Sequence, residues 1–275
     1  MQFRTEIEPI RKAAPIDHSQ RLMLLGSCFT DNIGSRLQRD GFNASVNPMG
    51  ALYNPLSIAN AILRALSGQP FTQADLTADA AGVWHCLDFE SRRQNADIAV
   101  LLESLNADFA KFADDLKKAD VWIVTFGTAW VFDYLPTGET VGNCHKFPST
   151  DFSRRRLSVE EITRALQPLI NGRRVIFTVS PIRHLADGLH GNNLSKATLL
   201  LATEKLGEYF PAFEIVNDDL RDYRFYAADL KHPSETAADY IYEIFSNTYF
   251  SAATRQLCLE HRRQSARAAH KPIIG

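Results

Sequence analysis

The sequence predicts an α/β protein: a three-layer α/β/α sandwich on a five-stranded parallel sheet with strand order 2-1-3-4-5. Short apolar runs that end on Gly, Pro or Asn alternate with amphipathic helical stretches, which is typical of a doubly wound sheet. Small and polar residues also crowd behind four of the five predicted strands. Open α/β sheets bind their ligands at that edge, beyond the carboxyl ends of the strands.

Each predicted strand is short, rich in β-branched or aromatic residues, and bounded by turn-forming residues. In chain order the strands are "LMLLG" (Leu22–Gly26), the weaker "NASVNP" (Asn43–Pro48), "VWIVTFG" (Val121–Gly127), "RVIFTVSP" (Arg174–Pro181) and "FEIVN" (Phe213–Asn217). The sheet should therefore be buried on both faces, because none of the longer runs alternates with polar residues.

Helical patterns occupy the intervals between the strands and follow the last strand. They cover Asp31–Arg39, Asn95–Lys118, Ser158–Ile170, Asn193–Tyr209 and Ser234–Phe250. Ser158, with Glu161 three residues later, forms the pattern of a capping box at the start of its helix.

The sequence predicts one domain over residues 1–275. Two of its segments depart from the alternation of strands and helices. The stretch Ser57–Ala81 is predicted to add helices beside the sheet, so a helical insertion is expected over about 57–118. The basic C-terminal tail, about 254–275, is predicted to be a solvated helix that frays into a loose end.

Composition excludes several classes of protein. Among 275 residues, 45% are hydrophobic and 23% are charged, as in ordinary soluble domains. A net charge of −2 favours neither nucleic acid nor an anionic membrane, and no apolar run approaches the roughly 20 residues of a membrane span. The N-terminus lacks the apolar core of a secretory signal, and the four cysteines form no CxxC pair. A cytoplasmic location is therefore expected.

Ser27 and Cys28 stand side by side after the first strand, where a nucleophile would be presented to a ligand. Asp229 and His232, three residues apart before the last helix, supply an orienting carboxylate and a general base. The residues alone leave Ser27 and Cys28 open as nucleophiles. A thiol ionises far more easily than a hydroxyl, and a helix N-terminus and His232 should lower its pKa. Ser27 should then bond backbone groups of the turn.

Two further loops contain candidates for substrate contact. Asn143, His145 and Lys146 lie in the loop from Tyr134 to Phe152, which is long for an α/β connection and is interpreted as a lid. Arg183 and His184 follow the fourth strand. The basic run "FSRRRLS" is interpreted as a solvated face, with contact to an anionic part of the substrate as the alternative. Asn192, Asn193 and Lys196 are interpreted as a helix cap, with sugar or carboxylate binding as the alternative.

The sequence gives no sign of a metal or a cofactor. His145, His184, His190 and His232 lack the HxH, HxxH or HExxH spacing of metal ligands. "GSCFTDNIG" also lacks the glycine spacing of a phosphate loop or a dinucleotide fingerprint. We therefore expect neither a metal ion nor a cofactor.

Six stretches together resemble the GSCFA-domain family, bacterial proteins placed in the SGNH (GDSL-like) hydrolase superfamily. They are "LGSCFTDNIG", "NPMGALYNPLSI", "TFGTAWVF", "NCHKFP", "SPIRH" and "LRDYRFYAADLKHPSETAADY". They span most of residues 20–250. The resemblance implies an SGNH-hydrolase-like, flavodoxin-like fold.

The resemblance also implies roles for single residues. Laid without a gap on the superfamily's Gly-Asp-Ser turn, "LGSCFT" puts Cys28 on the nucleophile and Ser27 on the preceding Asp. Gly127 matches the conserved block glycine, but Ala129 stands where the oxyanion-hole asparagine is expected. The backbone amides of Cys28 and Gly50 would then form the hole, with Asn143 or Arg183 as replacement side chains.

The sequence is compatible with three functions. The first is an esterase or deacylase that cleaves an acyl ester of a small molecule, carbohydrate or cell-envelope glycan. The second is an acyltransferase that uses an acyl-thioester donor, which suits a thiol nucleophile. The third is a non-catalytic carbohydrate- or peptide-binding module on the same fold.

Overall fold

The structure, a computed structural model, describes residues 4–8, 12 and 14–269. Its strands are β1 (Arg21–Gly26), β2 (Asn43–Val46), β3 (Thr77–Ala78), β4 (Trp84–His85), β5 (Gln94–Asn95), β6 (Val121–Phe126), β7 (Trp130–Tyr134), β8 (Glu139–Val141), β9 (Phe152–Arg156), β10 (Arg174–Val179) and β11 (Glu208–Phe210). Its helices are α1 (Cys28–Arg39), α2 (Pro55–Ser67), α3 (Ile98–Lys118), α4 (Val159–Ile170), α5 (Gly188–Leu206), α6 (Ala212–Glu214), α7 (Glu235–Tyr249) and α8 (Ala252–Ala269).

The central sheet has the order β11-β10-β6-β1-β2, and every neighbouring pair is parallel. Counted along the chain within this sheet, that order is 2-1-3-4-5, so the predicted topology is confirmed. Successive residues of β1 point to opposite faces. Met23 and Leu25 pack with α2 to α5, whereas Leu22 and Leu24 pack with α1 and α6 to α8. Two apolar cores therefore enclose the sheet and complete the three layers.

The fifth strand was predicted wrongly at Phe213–Asn217. The strand is β11, and residues 213–217 lie in α6 and in the π-helical turn Ile215–Leu220. Ala212, Ile215 and Val216 are fully buried at spacings of three and four residues, which is a helical pattern. A short apolar run fits a strand or a buried helix equally well by periodicity alone, which explains the error.

Two small antiparallel sheets flank the parallel sheet. The order β3-β4-β5 lies between α2 and α3, in the segment predicted as a helical insertion. The order β8-β7-β9 surrounds the predicted lid loop from Tyr134 to Phe152. β7 and β9 border that loop, with Trp130 opposite Arg156 and Tyr134 opposite Phe152, and β8 lies within it. The long connection after β6 is therefore mostly folded rather than a free loop.

The C-terminal segment is helical, as predicted, but one of its faces is packed on the protein. In α8, Thr254 and Cys258 are buried, and Arg262 forms an ion pair with the fully buried carboxylate of Asp40. The expectation of a solvated, fraying helix is wrong for this part of the tail, and residues 270–275 lie outside the described residues. Among the helices of the described chain, none has the length and apolar character needed to cross a membrane.

Candidate active site

Cys28 is placed by the turn that joins β1 to α1. Gly26 has a φ of 149°, and a side chain there would collide with the carbonyl of Thr125 on the adjacent strand. Ser27 is the N-cap residue and Cys28 the first residue of α1. The half-buried thiol therefore stands at the carboxyl edge of the sheet, where ligands bind in this architecture.

His232 and Asp229 approach Cys28 from the loop that precedes α7. The Sγ of Cys28 lies 3.5 Å from Nε2 of His232, and Nδ1 of the same ring lies 2.5 Å from Oδ2 of Asp229. A carboxylate only accepts hydrogen bonds, so Nδ1 carries the proton and the Nε2 lone pair faces the thiol. The three side chains thus have the order of a nucleophile, a base and an orienting acid.

The carboxylate of Asp229 is itself held in place. Its Oδ1 accepts hydrogen bonds of 3.0 Å from the backbone N–H groups of Lys231 and His232. These two bonds, together with the bond from the His232 ring, keep the pKa of Asp229 well below its usual range. Asp229 therefore stays ionised and can stabilise a protonated His232.

The environment of Cys28 raises the pKa of its thiol, which reverses the lowering that the sequence predicted. Burial is the main cause, followed by the carboxylate of Asp31. The amides of Cys28 and Phe29 at the helix end and the ammonium of Lys196 act in the opposite direction but are outweighed. The thiol is therefore protonated near neutral pH, and Nε2 of His232 is the proton acceptor beside it.

Ser27 is fully buried, and its hydroxyl has no hydrogen-bond partner among the described residues. The expectation that it bonds backbone groups of the turn is wrong. Its Cβ lies 3.2 Å from the point where a side chain on Gly127 would begin. The Ser27 hydroxyl is therefore enclosed beside the end of β6, whereas the next residue, Cys28, faces His232.

A cavity of about 600 Å³ opens beside this triad and includes Cys28 and His232 in its wall. Among the predicted substrate contacts, Asn143, Arg183 and His184 line it. Its apolar wall is formed by Trp130, Phe132, Val141 and Ile182. The cavity therefore has room for a group much larger than acetyl.

Gly50 lies in a neighbouring cleft of about 450 Å³ that shares Cys28 and Tyr53 with the main cavity. Its φ is 85°, and its N–H donates to the carbonyl of Asn47 at 2.7 Å. This amide is already used in the turn, so Gly50 cannot donate to an oxyanion in this conformation, contrary to the sequence-based expectation.

The loop "GTAW" after β6 has no free amide for an oxyanion either. The N–H groups of Gly127 and Thr128 both donate to the carbonyl of Tyr53, at 2.8 and 2.9 Å, and that of Ala129 donates to Oγ of Ser195 at 2.7 Å. Gly127 lies behind the cavity wall. A side chain on it would begin 3.0 Å from that Tyr53 oxygen, so any larger residue would have to push the Tyr53 backbone away.

His145 and Lys146 are not brought to the cavity. The ring of His145 is buried, with Nδ1 3.1 Å from Nδ1 of His85 and Nε2 2.8 Å from the carbonyl of Phe89. Lys146 is exposed. The backbone N–H of His145 donates to Oδ1 of Asn143 at 3.1 Å, so this pair of residues shapes the loop that brings Asn143 to the wall.

His184 is neutral at physiological pH. Burial, followed by the positive charges of Lys196 and His232, lowers its pKa to about 4. Its Nε2 is buried and unpartnered within the described part of the chain, and its backbone N–H donates to Oδ1 of Asn192 at 3.0 Å. A neutral imidazole in this wall can donate or accept a hydrogen bond.

The described residues contain no cluster of three or more His, Cys, Asp or Glu side chains that could hold a metal ion. Of the four histidines considered from the sequence, His184 and His232 share the cavity wall, whereas His145 is bound elsewhere and His190 is exposed.

The model of the GSCFA family matches residues 21–245. The chain belongs to the GSCFA family. Neither the curated proteins nor the solved structures contain a match to it. The matched region includes Cys28, Asp229, His232 and every wall residue of the main cavity.

Sequence reasoning missed the role of Lys196 in this GSCFA protein. The side chain is completely buried, and Nζ donates hydrogen bonds of 2.6 Å to the carbonyls of Gly127 and Ser180. Burial lowers the pKa of its ammonium to about 7. Lys196 therefore connects the ends of β6 and β10 by hydrogen bonds to their following carbonyls, and it does not cap a helix. Its spacing from Asn192 and Leu199, four residues before and three after, placed it on the buried face of α5.

Arg154 comes from the basic run interpreted as a solvated face, with contact to an anionic part of the substrate as the alternative. It is exposed, in agreement with the first interpretation, but it also lines the cavity and pairs with Asp187. Its guanidinium lies 4.9 Å from the ring of Phe132 and 5.3 Å from the ring of Trp130. Arg154 therefore lies at the solvent-exposed side of the cavity wall, where it is in reach of a ligand.

Proposed function

We propose that this GSCFA protein is an SGNH-like hydrolase that cleaves an acyl ester, as an esterase or deacylase, through Cys28, His232 and Asp229. The observation that supports it most is the relay itself: Sγ to Nε2 at 3.5 Å, and Nδ1 to the Asp229 carboxylate at 2.5 Å. The relay lies in the wall of a cavity large enough for an acyl or glycan group.

The reaction has two balanced halves. His232 takes the proton of the Cys28 thiol while Sγ attacks the acyl carbon, and the ester C–O bond breaks as His232 returns the proton to the leaving alcohol. The product is an acyl-cysteine thioester. A water molecule then gives a proton to His232 and attacks the thioester carbon, releasing the acid and restoring the thiol. Asp229 stabilises the imidazolium in both halves.

The amides of Cys28 and Phe29 are the proposed donors to the oxyanion. They are the first two amides of α1, and neither donates to a carbonyl in the described structure. Asn143 is the proposed third donor, because its carbonyl oxygen is engaged by His145 and its NH₂ remains available. One such donor contributes about 3–4 kcal/mol of transition-state stabilisation.

An acyltransferase is the second candidate, supported by the neighbouring cleft. That cleft shares Cys28 and Tyr53 with the main cavity and gives a second route to the same sulfur. An acceptor alcohol bound there would attack the acyl-cysteine in place of water.

Incubation of the protein with acyl esters and acyl thioesters, with and without acceptor alcohols, tests these alternatives. A hydrolase releases acid without an acceptor, whereas a transferase needs one. Cys28→Ala should abolish both, while Ser27→Ala should retain most activity, because the Ser27 hydroxyl contacts no partner among the described residues. Ligand binding that survives Cys28→Ala, with no turnover of any ester, would favour the non-catalytic binding module. Full turnover by Cys28→Ala would exclude the proposed nucleophile.

A further inference from the structure

The charges in the wall of the main cavity do not balance. Apart from the catalytic histidine, the wall has three cationic side chains, Arg154, Arg183 and Lys231, and one carboxylate, Asp187. Asp187 is 6% exposed and pairs with Arg154. Arg183 and Lys231 form no ion pair with any described residue. Two positive charges on one side of the cavity therefore lack a counter-ion.

Arg183 is held in position before any ligand arrives. Its guanidinium stacks 4.3 Å from the ring of Tyr226, which is buried, and 5.3 Å from the ring of Tyr223. Its backbone N–H donates to the carbonyl of Lys231 at 3.4 Å, so the two cationic residues share one corner of the cavity, directly beside His232. A planar guanidinium fixed in this way suits carboxylate or phosphate oxygens.

The nearby acids do not neutralise this corner. Asp229 is engaged by the His232 ring and by two backbone N–H groups. Asp31 and Glu90 line the neighbouring cleft rather than the main cavity, and Glu90 pairs with Arg92. Lys196, buried beneath the strand ends, donates to two backbone carbonyls and brings no carboxylate to this corner.

We propose that the natural substrate is an anionic ester or thioester, whose carboxylate or phosphate binds Arg183 and Lys231 while its apolar part packs on Trp130 and Phe132. The proposal rests on the function proposed above, since it describes the substrate of that same site. It also assigns an orientation to the substrate in the cavity. The negative group of the substrate lies at the corner beside His232, and its apolar group lies on the wall formed by β7.

Two pairs of esters, whose members differ by one added anionic group, test the proposal. One pair places a carboxylate on the acyl side: the p-nitrophenyl ester of butanoic acid and the mono-p-nitrophenyl ester of pentanedioic acid. The other places a phosphate on the alcohol side: the butanoyl esters of ethylene glycol and of 2-hydroxyethyl phosphate. In at least one pair, kcat/KM should be about tenfold higher for the anion, and added salt should reduce the preference. The pair that shows it identifies the charged side.

The variants Arg183→Gln and Lys231→Gln, singly and together, should reduce that preference, and the double variant should abolish it. Lys146→Gln is the matched control, because this exposed lysine lies outside the wall. Equal kcat/KM within both pairs, or a preference unchanged in the double variant, overturns the proposal.

A binding measurement distinguishes failure of the anionic-site proposal from failure of the proposed esterase function. If no ester is turned over, calorimetric titration with butanamide and with the monoamide of pentanedioic acid measures the charge preference directly. Tighter binding of the anion, lost in the double variant, supports the anionic site even though the esterase proposal fails. Equal affinities overturn the anionic site.

Discussion

At the scale of single residues, the thiol of Cys28 departs furthest from what its position in the sequence predicts. A helix N-terminus and a histidine are expected to favour a thiolate, but burial and Asp31 raise the pKa of this thiol. In the proposed mechanism, Cys28 therefore reacts as a thiol with His232 as its general base rather than as part of a preformed thiolate–imidazolium pair.

The pH dependence of alkylation tests this difference. The rate of iodoacetamide labelling at Cys28 should be low near pH 7 and should rise with a midpoint above about 8.5, the pKa of a free thiol. Mapping by mass spectrometry should place the label on Cys28 before the buried Cys86 and Cys258. A midpoint well below 8.5 would show a stabilised thiolate and contradict this description.

Lys196 should give the stability of the protein a characteristic pH dependence. Burial lowers its pKa from 10.5 to about 7, so above about pH 7 the native chain has released a proton that the unfolded chain still holds. The unfolded state then binds more protons, and the free energy of unfolding rises with pH, by at most about 1.4 kcal/mol per pH unit.

Urea unfolding of wild type and of Lys196→Met between about pH 7 and 8.5 measures this slope as the difference between the two proteins. The difference is needed because burial raises the pKa of all four thiols, so the thiols of the unfolded chain lose protons in the same range and oppose the slope in both proteins. The free energy of unfolding of wild type minus that of Lys196→Met should rise with pH, whatever the effect of the substitution on stability at one pH. A difference that is constant or falls over this range would contradict the assignment.

At the scale of elements, α8 is fixed to the protein by one buried carboxylate. Asp40 accepts hydrogen bonds from Arg262, Arg39 and the hydroxyl of Tyr242. Burial alone would raise the pKa of Asp40, but the bonds from Arg262 and Tyr242 outweigh it and leave the pKa below its ordinary value. Its contribution to stability is therefore present above about pH 4 and is lost as the pH falls through the native pKa.

Arg262→Ala should lower the free energy of unfolding by about 2–3 kcal/mol at neutral pH, since it removes one partner of a buried charge while Arg39 and Tyr242 remain. The difference from wild type should shrink on acidification below about pH 4, as Asp40 is protonated. Chemical denaturation at several pH values measures both effects. A change within about 0.5 kcal/mol, the range of ordinary surface substitutions, would mean that α8 is not fixed through this ion pair.

The elements also show where sequence patterns are sufficient and where they fail. β1, β6 and β10 were predicted closely, because a fully buried parallel strand is a short apolar run between turn residues. β11 has only three residues, so the stronger apolar run just after it was mistaken for the strand. The β7-β8-β9 sheet was missed because Arg154 and its neighbours form a basic run that resembles a solvated loop.

At the scale of the whole molecule, the candidate site is assembled from segments that lie far apart in the chain. Cys28 follows β1, and His232 precedes α7, and both were predicted because strand ends of a parallel sheet meet at one edge. Lys196 was not predicted as a site residue, because its partners are backbone carbonyls that no side-chain motif reveals. Local motifs therefore predicted that Cys28 and His232 meet, while the position of Lys196 beneath them depends on tertiary packing.

Intact-protein mass spectrometry shows whether Cys28 becomes acylated, as the proposed mechanism requires. The protein is mixed with an activated acyl ester, quenched in acid within the first turnovers, and mapped by peptide digestion. We predict one acyl group as a thioester on Cys28, absent in Cys28→Ala and strongly reduced in His232→Ala, where no base takes the thiol proton. Acylation of Ser27, acylation of Cys28 that is unchanged in His232→Ala, or turnover without any acylated cysteine would contradict it.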